Sequence, residues 1–287
     1  MPTATAYEPA RLPDLLELFQ RVWGSAPTEE AASWWYERSP VAPASVLLSE
    51  DEGRVVATAA MSFLRVRCGD EDVVVGMPLR VATDPAYRGR GIFHDLEAEN
   101  ELRAEQAGIR LLLTVPNAAS APVFLRKLGW TELPPLRVWA RARLGLPHRR
   151  RDVTEVAAPG ARPPRECGVV RDDAYLAWRF RDAPRRYRAF VDEGGYAILG
   201  DRRVGRFDVA VVAASGGAFA QPLRHALASA AGTRAAIAIP PPGTERAFAL
   251  LGFVPTPKTF TVLGRSLDAS LPLPERVAFE LGDLDFL

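Results

Sequence analysis

The chain has 287 residues, of which 48% are hydrophobic and 25% are charged, and its formal net charge is +1. This composition is typical of a globular protein long enough for two domains, and a charge so near zero excludes a general attraction for nucleic acid. The sequence contains no apolar stretch of membrane-spanning length, and its first residues lack the basic and apolar segments of a signal peptide. We therefore expect a cytoplasmic protein that binds neither nucleic acid nor a membrane.

The two cysteines, Cys68 and Cys167, are too few for a disulfide framework and do not have the spacing of metal ligands. We therefore expect both to be reduced side chains. The chain also has only three histidines, so we expect no metal site.

Apolar periodicity predicts the order α-α-β-β-β-α-β-α-β for the first half of the chain. The predicted helices cover residues 12–23, 28–38, 92–106 and 121–128, and the predicted strands cover residues 45–49, 55–67, 73–83, 109–115 and 136–144. Trp34, Trp35 and Tyr36 lie in the second helix. They form either part of the core, which we favour, or an aromatic pocket for a planar ligand.

Residues 81–93 carry the most informative motif of the chain. An extended run turns at Pro85 and delivers Gly89 and Gly91 into the start of a helix. Glycine allows the backbone to approach a ligand closely, and the N–H groups of a helix start attract anions. Arg88 and Arg90 add positive charge, so the motif predicts a site for the pyrophosphate of a nucleotide-like cofactor. It is neither a Walker loop nor the dinucleotide motif.

The pattern Arg88-x-x-Gly91-x-Phe93 resembles the signature of the GNAT family of acyl-CoA-dependent N-acyltransferases. Phe93 replaces the small residue at the end of the signature, as in a subset of the family. A second family feature follows, in which Pro116-Asn117 precedes a short helix and the turn Lys127-Leu128-Gly129-Trp130. The resemblance covers most of residues 1–143, and the predicted order of elements is that of a GNAT domain.

The resemblance implies that acetyl-CoA is the cosubstrate. The residues expected to bind it are Val81, Ala82, Thr83, Arg88, Gly89, Arg90, Gly91, Ile92, Phe93 and Asn117. In the family a backbone N–H on the strand before the loop holds the thioester carbonyl and stabilises the oxyanion, and here that N–H belongs to Val81. Asn117 either bonds the pantetheine chain or caps the helix that starts near Ala118.

The general acid and base of the family have no clear counterpart in this sequence. The strand at 73–83 contains no Asp or Glu, with Met77 near the position of the base, and Leu125 stands where the family has its Tyr. We therefore assign no catalytic side chain. The gap does not exclude catalysis, because a water chain can carry the proton of the amine. Ser120, Tyr87 and His94 are candidates by sequence position alone.

Residues 146–168 form a predicted linker, because Pro147, the arginines at 149–151 and several later prolines show no periodicity. We interpret the arginine run as solvated rather than as a nucleic-acid site. Beyond the linker, Gly108, Pro116 and Leu128-Gly129-Trp130 recur as Gly232, Pro240 and Leu251-Gly252-Phe253. Predicted strands at 187–191, 195–199 and 204–214 and a helix near Phe219 repeat the order of the first half.

The sequence therefore predicts an α/β (α+β) fold with two tandem GNAT-like domains, each a mixed, mostly antiparallel sheet flanked by helices. The domains are residues 1–145 and 169–287. The second is a degenerate copy, because the segment at 214–218 replaces the arginine loop with a turn that has no cation. An acidic and apolar tail at 281–287 is a candidate to fold back and supply a terminal carboxylate as the base.

The leading hypothesis is acetyl transfer from acetyl-CoA to the primary amine of a small molecule by direct attack. One alternative is an aminoacyl-tRNA-dependent transferase of the tandem GNAT type, which usually lacks the arginine loop in its first domain. The other is a non-catalytic acyl-CoA sensor or binding module. The identity of the amine, the length of the acyl chain and the oligomeric state stay open.

Overall fold

The computed structural model describes residues 3–142, 166–230 and 232–284. The first half contains these elements: β1 (Thr3–Ala6), α1 (Leu12–Trp23), α2 (Glu29–Glu37), β2 (Ser45–Asp51), β3 (Arg54–Cys68), β4 (Glu71–Thr83), α3 (Ile92–Gln106), β5 (Leu111–Thr114), α4 (Ala121–Lys127) and β6 (Thr131–Ala142). All the elements predicted for this half are present. The strand β1 was not predicted, because four Thr and Ala residues carry no apolar alternation and are extended only through pairing with β2.

The second half follows the same plan. It contains β7 (Glu166–Val169), α5 (Asp173–Leu176) with a π-helical continuation (Ala177–Arg181), β8 (Arg188–Val191), β9 (Gly195–Val204), β10 (Phe207–Gly217), α6 (Ala220–Ser229), β11 (Ala235–Ala238), α7 (Glu245–Leu250), β12 (Val254–Ser266), β13 (Arg276–Ala278) and a 3-10 turn (Leu281–Asp283). No helix in the described part of the chain is both long and apolar enough to cross a membrane.

The strands of both halves form one continuous sheet, which confirms the mixed, mostly antiparallel class. Its main path runs β1-β2-β3-β4-β5-β12-β6-β11-β10-β9-β8. The parallel pair β4 and β5 in the first half corresponds to the parallel pair β10 and β11 in the second. Strands of the two halves interleave in this sheet, because β12 of the second half lies between β5 and β6 and is antiparallel to both. Strand β6 pairs on its other side with β11, and β7 pairs with β3. The first half is therefore completed by a strand of the second.

An aromatic cluster packs the two halves together. Trp34 and Trp35 of α2 lie against Trp178, and the ring centroids of Trp34 and Trp178 are 5.1 Å apart. The indole N–H of Trp34 donates to the backbone carbonyl of Trp178 at 2.9 Å. Trp34, Trp35 and Tyr36 are only 6%, 6% and 1% exposed, so the core interpretation of these residues is confirmed.

The prediction that both cysteines are reduced is wrong. Strand β7 pairs with β3, which brings Cys68 opposite Cys167 with their Cα atoms 4.2 Å apart, and the two form a disulfide. The sequence could not show this pairing, because 99 residues separate the cysteines and only the return of β7 to the edge of β3 joins them. Strand β7 begins at Glu166, near the end of the predicted linker, and the arginine run at 149–151 lies outside the described residues.

Candidate functional site

A cleft opens where β4 and β5 part. The two strands pair only at Val75 with Leu111 and at Gly76 with Leu112. Pro78 follows on β4 and has no N–H to donate to a neighbouring strand, so the ladder ends there. The hydroxyl of Thr114 donates instead to the carbonyl of Pro78 at 3.2 Å.

A bulge on β4 turns the backbone beside this cleft. The pairing with β3 passes from Ala60 opposite Leu79 to Thr58 opposite Ala82, so Arg80 and Val81 together face the single residue Ala59. Arg80 has φ +47, which is rare for a residue with a Cβ. Bulges of this kind redirect the chain next to binding sites. Here the bulge sets the direction of the Val81 peptide beside the cleft.

The cleft has a volume of about 560 Å³ and brings together nine of the ten residues expected to bind acetyl-CoA. These are Val81, Ala82, Thr83, Arg88, Gly89, Gly91, Ile92, Phe93 and Asn117. Arg90 does not line it, since its guanidinium lies 4.7 Å from the ring centroid of Tyr87 and donates to the carbonyl of Ala86. The strand, the loop and the start of α3 therefore share one space.

Asp84 fixes the turn that leads into the loop. Its carboxylate accepts from the backbone N–H of Ala86 at 3.1 Å and pairs with Arg21 and Arg54, each at 3.1 Å. Burial by itself raises the pKa of Asp84, but the Ala86 N–H and the two arginines outweigh it and hold the pKa below its ordinary value. The carboxylate therefore stays charged and bonds both the turn and the two arginines.

The loop itself presents backbone donors and one cation to the cleft. Gly89 and Gly91 have φ of +78 and +84, and Gly91 is the residue before α3. This conformation strains residues with a Cβ, which explains the two glycines. Arg88 is exposed and lines the cleft, and its Nε donates to the carbonyl of Thr83 at 3.2 Å.

Asn117 holds the turn that leads into the short helix α4, whose N-cap residue is Ser120. Its side-chain oxygen accepts from the N–H groups of Ala119 at 2.9 Å and Ser120 at 3.0 Å. The residue also lines the cleft. The side-chain oxygen of Asn117 is therefore used in the turn before α4, and the contact with pantetheine stays a prediction.

The comparisons with known proteins agree with this geometry. The acetyltransferase (GNAT) domain family matches residues 4–133. Residues 4–133 are a GNAT acetyltransferase domain. No curated protein matches the sequence.

Solved structures extend the likeness to nearly the whole chain. A probable N-acyltransferase from Enterococcus faecalis is 12% identical with a TM-score of 0.65, over 93% of this chain and 73% of that one. A GCN5-related N-acetyltransferase from Kribbella flavida is 17% identical with a TM-score of 0.66, over 94% and 72%. Eis1 from Mycobacterium abscessus is 14% identical with a TM-score of 0.60, over 93% and 74%. At these identities the likeness shows a common fold.

Several residues that line the cleft of the GNAT domain were not among those predicted to bind the cofactor. They include Trp23, Arg80, His94 and Lys127. Trp23 is 45% exposed and lies at the end of α1, which the Arg21–Asp84 ion pair holds against the loop. No spacing in the sequence links α1 to the loop, so only the fold could reveal this contact.

Among the described residues that line the cleft there is no Asp or Glu. Leu125, which stands at the position of the family's Tyr, is 37% exposed and is not part of the lining. Ser120, Tyr87 and His94 do line it. The terminal residues 285–287, whose carboxylate was a candidate base, lie outside the described residues.

Proposed function

We propose that the cleft transfers an acetyl group from acetyl-CoA to the primary amine of a small molecule. The observation that carries the proposal is the gap between β4 and β5, which opens directly onto the glycine loop before α3. A long and thin donor with a pyrophosphate at one end fits this combination of a slot and an anion site.

Each part of the cleft then has a task. The loop and Arg88 bind the pyrophosphate through backbone N–H groups and charge. The exposed edge of β4 at Val81–Thr83 bonds the amides of the pantetheine arm like an added strand. The N–H of Val81 donates to the thioester oxygen and stabilises the oxyanion that forms when the amine attacks.

The amine attacks in its neutral form, and its proton leaves through water. We infer this route because no described carboxylate lines the cleft. Holding the amine next to the thioester supplies much of the acceleration even without a dedicated base. The rate is therefore expected to rise with pH until the amine itself is neutral.

Two measurements on the full chain test the proposal. Calorimetry is expected to find one acetyl-CoA bound per chain, and a panel of primary amines is expected to contain at least one that releases free CoA thiol. Binding without thiol release from any amine supports the sensor alternative. Transfer from aminoacyl-tRNA and none from acetyl-CoA supports the tRNA-dependent alternative.

A further inference from the structure

A small enclosed cavity lies beside the cleft, between the two halves of the chain. Its volume is about 20 Å³, and it is bounded by α2, β3, β4 and the helical segment at 173–181. A space of that size holds one or two water-sized groups, such as the two oxygens of a carboxylate. Leu79 of β4 lines both this cavity and the cleft, so the two spaces share a wall.

Two polar side chains that line the cavity have no hydrogen-bond partner among the described residues. They are the indole N–H of Trp35 and the hydroxyl of Ser62, and the two residues are 6% and 5% exposed. Buried polar groups in proteins are almost always paired, because an unpaired one loses its bonds to water. The indole N–H is a donor only, and the hydroxyl can donate one hydrogen bond as well as accept. The cavity therefore offers two donors to a ligand that accepts hydrogen bonds.

The charges around the cavity favour an anion. Arg179 is 4% exposed, and its guanidinium lies 4.9 Å from the ring centroid of Trp35. The guanidinium of Arg80 lies 5.9 Å from the same centroid. The one carboxylate in the lining, Asp283, is already bound, because its oxygens accept from Tyr175 at 2.8 Å, from the Glu280 N–H at 2.7 Å and from Arg171. Arg171 also pairs with Glu280 at 3.1 Å, so its single charge serves two acidic side chains. The further positive charge next to the cavity comes from Arg179 and Arg80.

We propose that the acceptor carries a carboxylate beside its amine, as amino acids do, and that Trp35 Nε1 and Ser62 Oγ bind this carboxylate. Arg179 and Arg80 supply the surrounding positive charge. The inference rests on the proposed acetyl transfer, because it assigns the substrate class of that cleft. The position of the cavity agrees with this assignment, since Arg80 also lines the cleft and directly precedes Val81, the expected oxyanion donor. In this proposal the side chain of Leu79, which lines both spaces, moves aside to admit the carboxylate, and the amine stays beside the thioester.

The first test compares amino acids with their amides on the full chain at saturating acetyl-CoA, following release of CoA thiol. The acid is expected to have a kcat/KM about tenfold to hundredfold higher than its amide, the effect of a charge-assisted hydrogen bond. Equal values for acid and amide overturn the inference and leave acetyl transfer intact. A preference for aminophosphonates over amino acids also overturns it, because a phosphonate is larger than the cavity.

The second test uses variants. Trp35→Phe and Ser62→Ala are each expected to raise the KM of the acid about tenfold and to leave the KM of acetyl-CoA unchanged. The matched control is Trp34→Phe, which makes the same change in the same cluster but removes an N–H that already bonds the Trp178 carbonyl. The control is expected to keep the preference for acid over amide. An unchanged preference in both Trp35→Phe and Ser62→Ala contradicts the assignment.

If no amine is acetylated although acetyl-CoA binds, the proposed transfer fails and the cavity is tested by binding alone. Calorimetry of the CoA-loaded protein then compares an amino acid with its amide. Tighter binding of the acid that is lost in Ser62→Ala supports the carboxylate site. Equal binding, or binding of neither, shows a cavity that holds solvent only and overturns it.

Discussion

The two halves of the chain use the same turn between a strand and a helix in opposite ways. In the first half the turn at 84–91 opens into the cleft and brings glycine backbone and Arg88 to its surface. In the second half the corresponding segment, residues 214–218, forms the end of β10 and the residue after it, and the donors of Ser215 and Ala218 are bound inside the protein. The N–H and hydroxyl of Ser215 donate to Glu280 at 3.1 and 2.7 Å, and the N–H of Ala218 donates to the carbonyl of Gly194 at 2.8 Å.

The glycines of the first turn also have more free space around them than those of the second. A Cβ on Gly89 would meet no heavy atom within 4 Å, whereas a Cβ on Gly217 would lie 2.2 Å from the carbonyl oxygen of Gly194. The first turn therefore uses glycine to stay open to a ligand, and the second uses it to close against its neighbour. The acceptor that Ser215 binds is the protein's own Glu280 side chain. The two segments therefore share an order of strand, turn and helix but differ in whether the turn is open or closed.

The largest effect is expected from separating the halves. Residues 1–145 alone lack β12, which pairs with both β5 and β6 in the full chain. We expect this fragment to aggregate, because two apolar strand edges lose their partner. Size-exclusion chromatography and acetyl-CoA calorimetry measure the outcome. Co-expression with residues 146–287 is the control and is expected to restore a soluble complex. A monomeric fragment that binds acetyl-CoA like the full chain contradicts the shared-sheet account.

The sequence could predict the elements but not this exchange of strands. Periodicity located β4, α3 and β5, and the glycines and arginines between them marked the loop, since these signals are local. The insertion of β12, the pairing of Cys68 with Cys167 and the position of Trp23 at the cleft depend on contacts between distant segments. The repeat revealed that the second half resembles the first, but not that Glu280 fills its turn, because residues 215 and 280 meet only in the folded protein.

The second prediction compares Gly217→Ala with Gly91→Ala. Both glycines have positive φ, but only Gly217 is crowded. We expect Gly217→Ala to lower the free energy of unfolding by roughly 2–5 kcal/mol, from backbone strain plus overpacking, and Gly91→Ala by about 1–2 kcal/mol from strain alone. Denaturant unfolding measures both. Acetyl-CoA affinity is expected to fall in Gly91→Ala and to persist in folded Gly217→Ala. Equal decreases in the free energy of unfolding of the two variants contradict the contrast between an open and a closed turn.

The third prediction concerns the charge of the open turn. Replacing both Arg88 and Arg90 by Ala is expected to weaken acetyl-CoA binding by roughly 2–4 kcal/mol, from the lost charge-assisted contact of Arg88 and the lost nearby charge of Arg90. Arg88→Ala alone is expected to cost more than Arg90→Ala, because Arg88 lines the cleft and Arg90 packs on Tyr87. Arg203→Ala, an exposed arginine on β9, is the matched control and is expected to bind normally. Unchanged affinity in the double variant places the pyrophosphate elsewhere.

The smallest effect is expected from the closed turn, as a dependence of stability on pH. Burial raises the pKa of Glu280 from its ordinary 4.5 to about 7, although Arg171 opposes this. Between those values the folded chain holds a proton that the unfolded chain has released, so the contribution of Glu280 to stability falls as pH rises through this window.

Glu280→Gln removes the titrating group. From pH 5 to pH 7.5 the unfolding free energy of the native chain is expected to decrease. In Glu280→Gln this decrease is expected to be smaller by about 1–3 kcal/mol. Glu193→Gln, at an exposed position, is the control and is expected to leave the slope unchanged. Identical slopes in the native chain and Glu280→Gln mean that Arg171 and Ser215 keep Glu280 ionised throughout. The second turn then holds a permanent carboxylate anion, in the way that the first is proposed to hold a pyrophosphate.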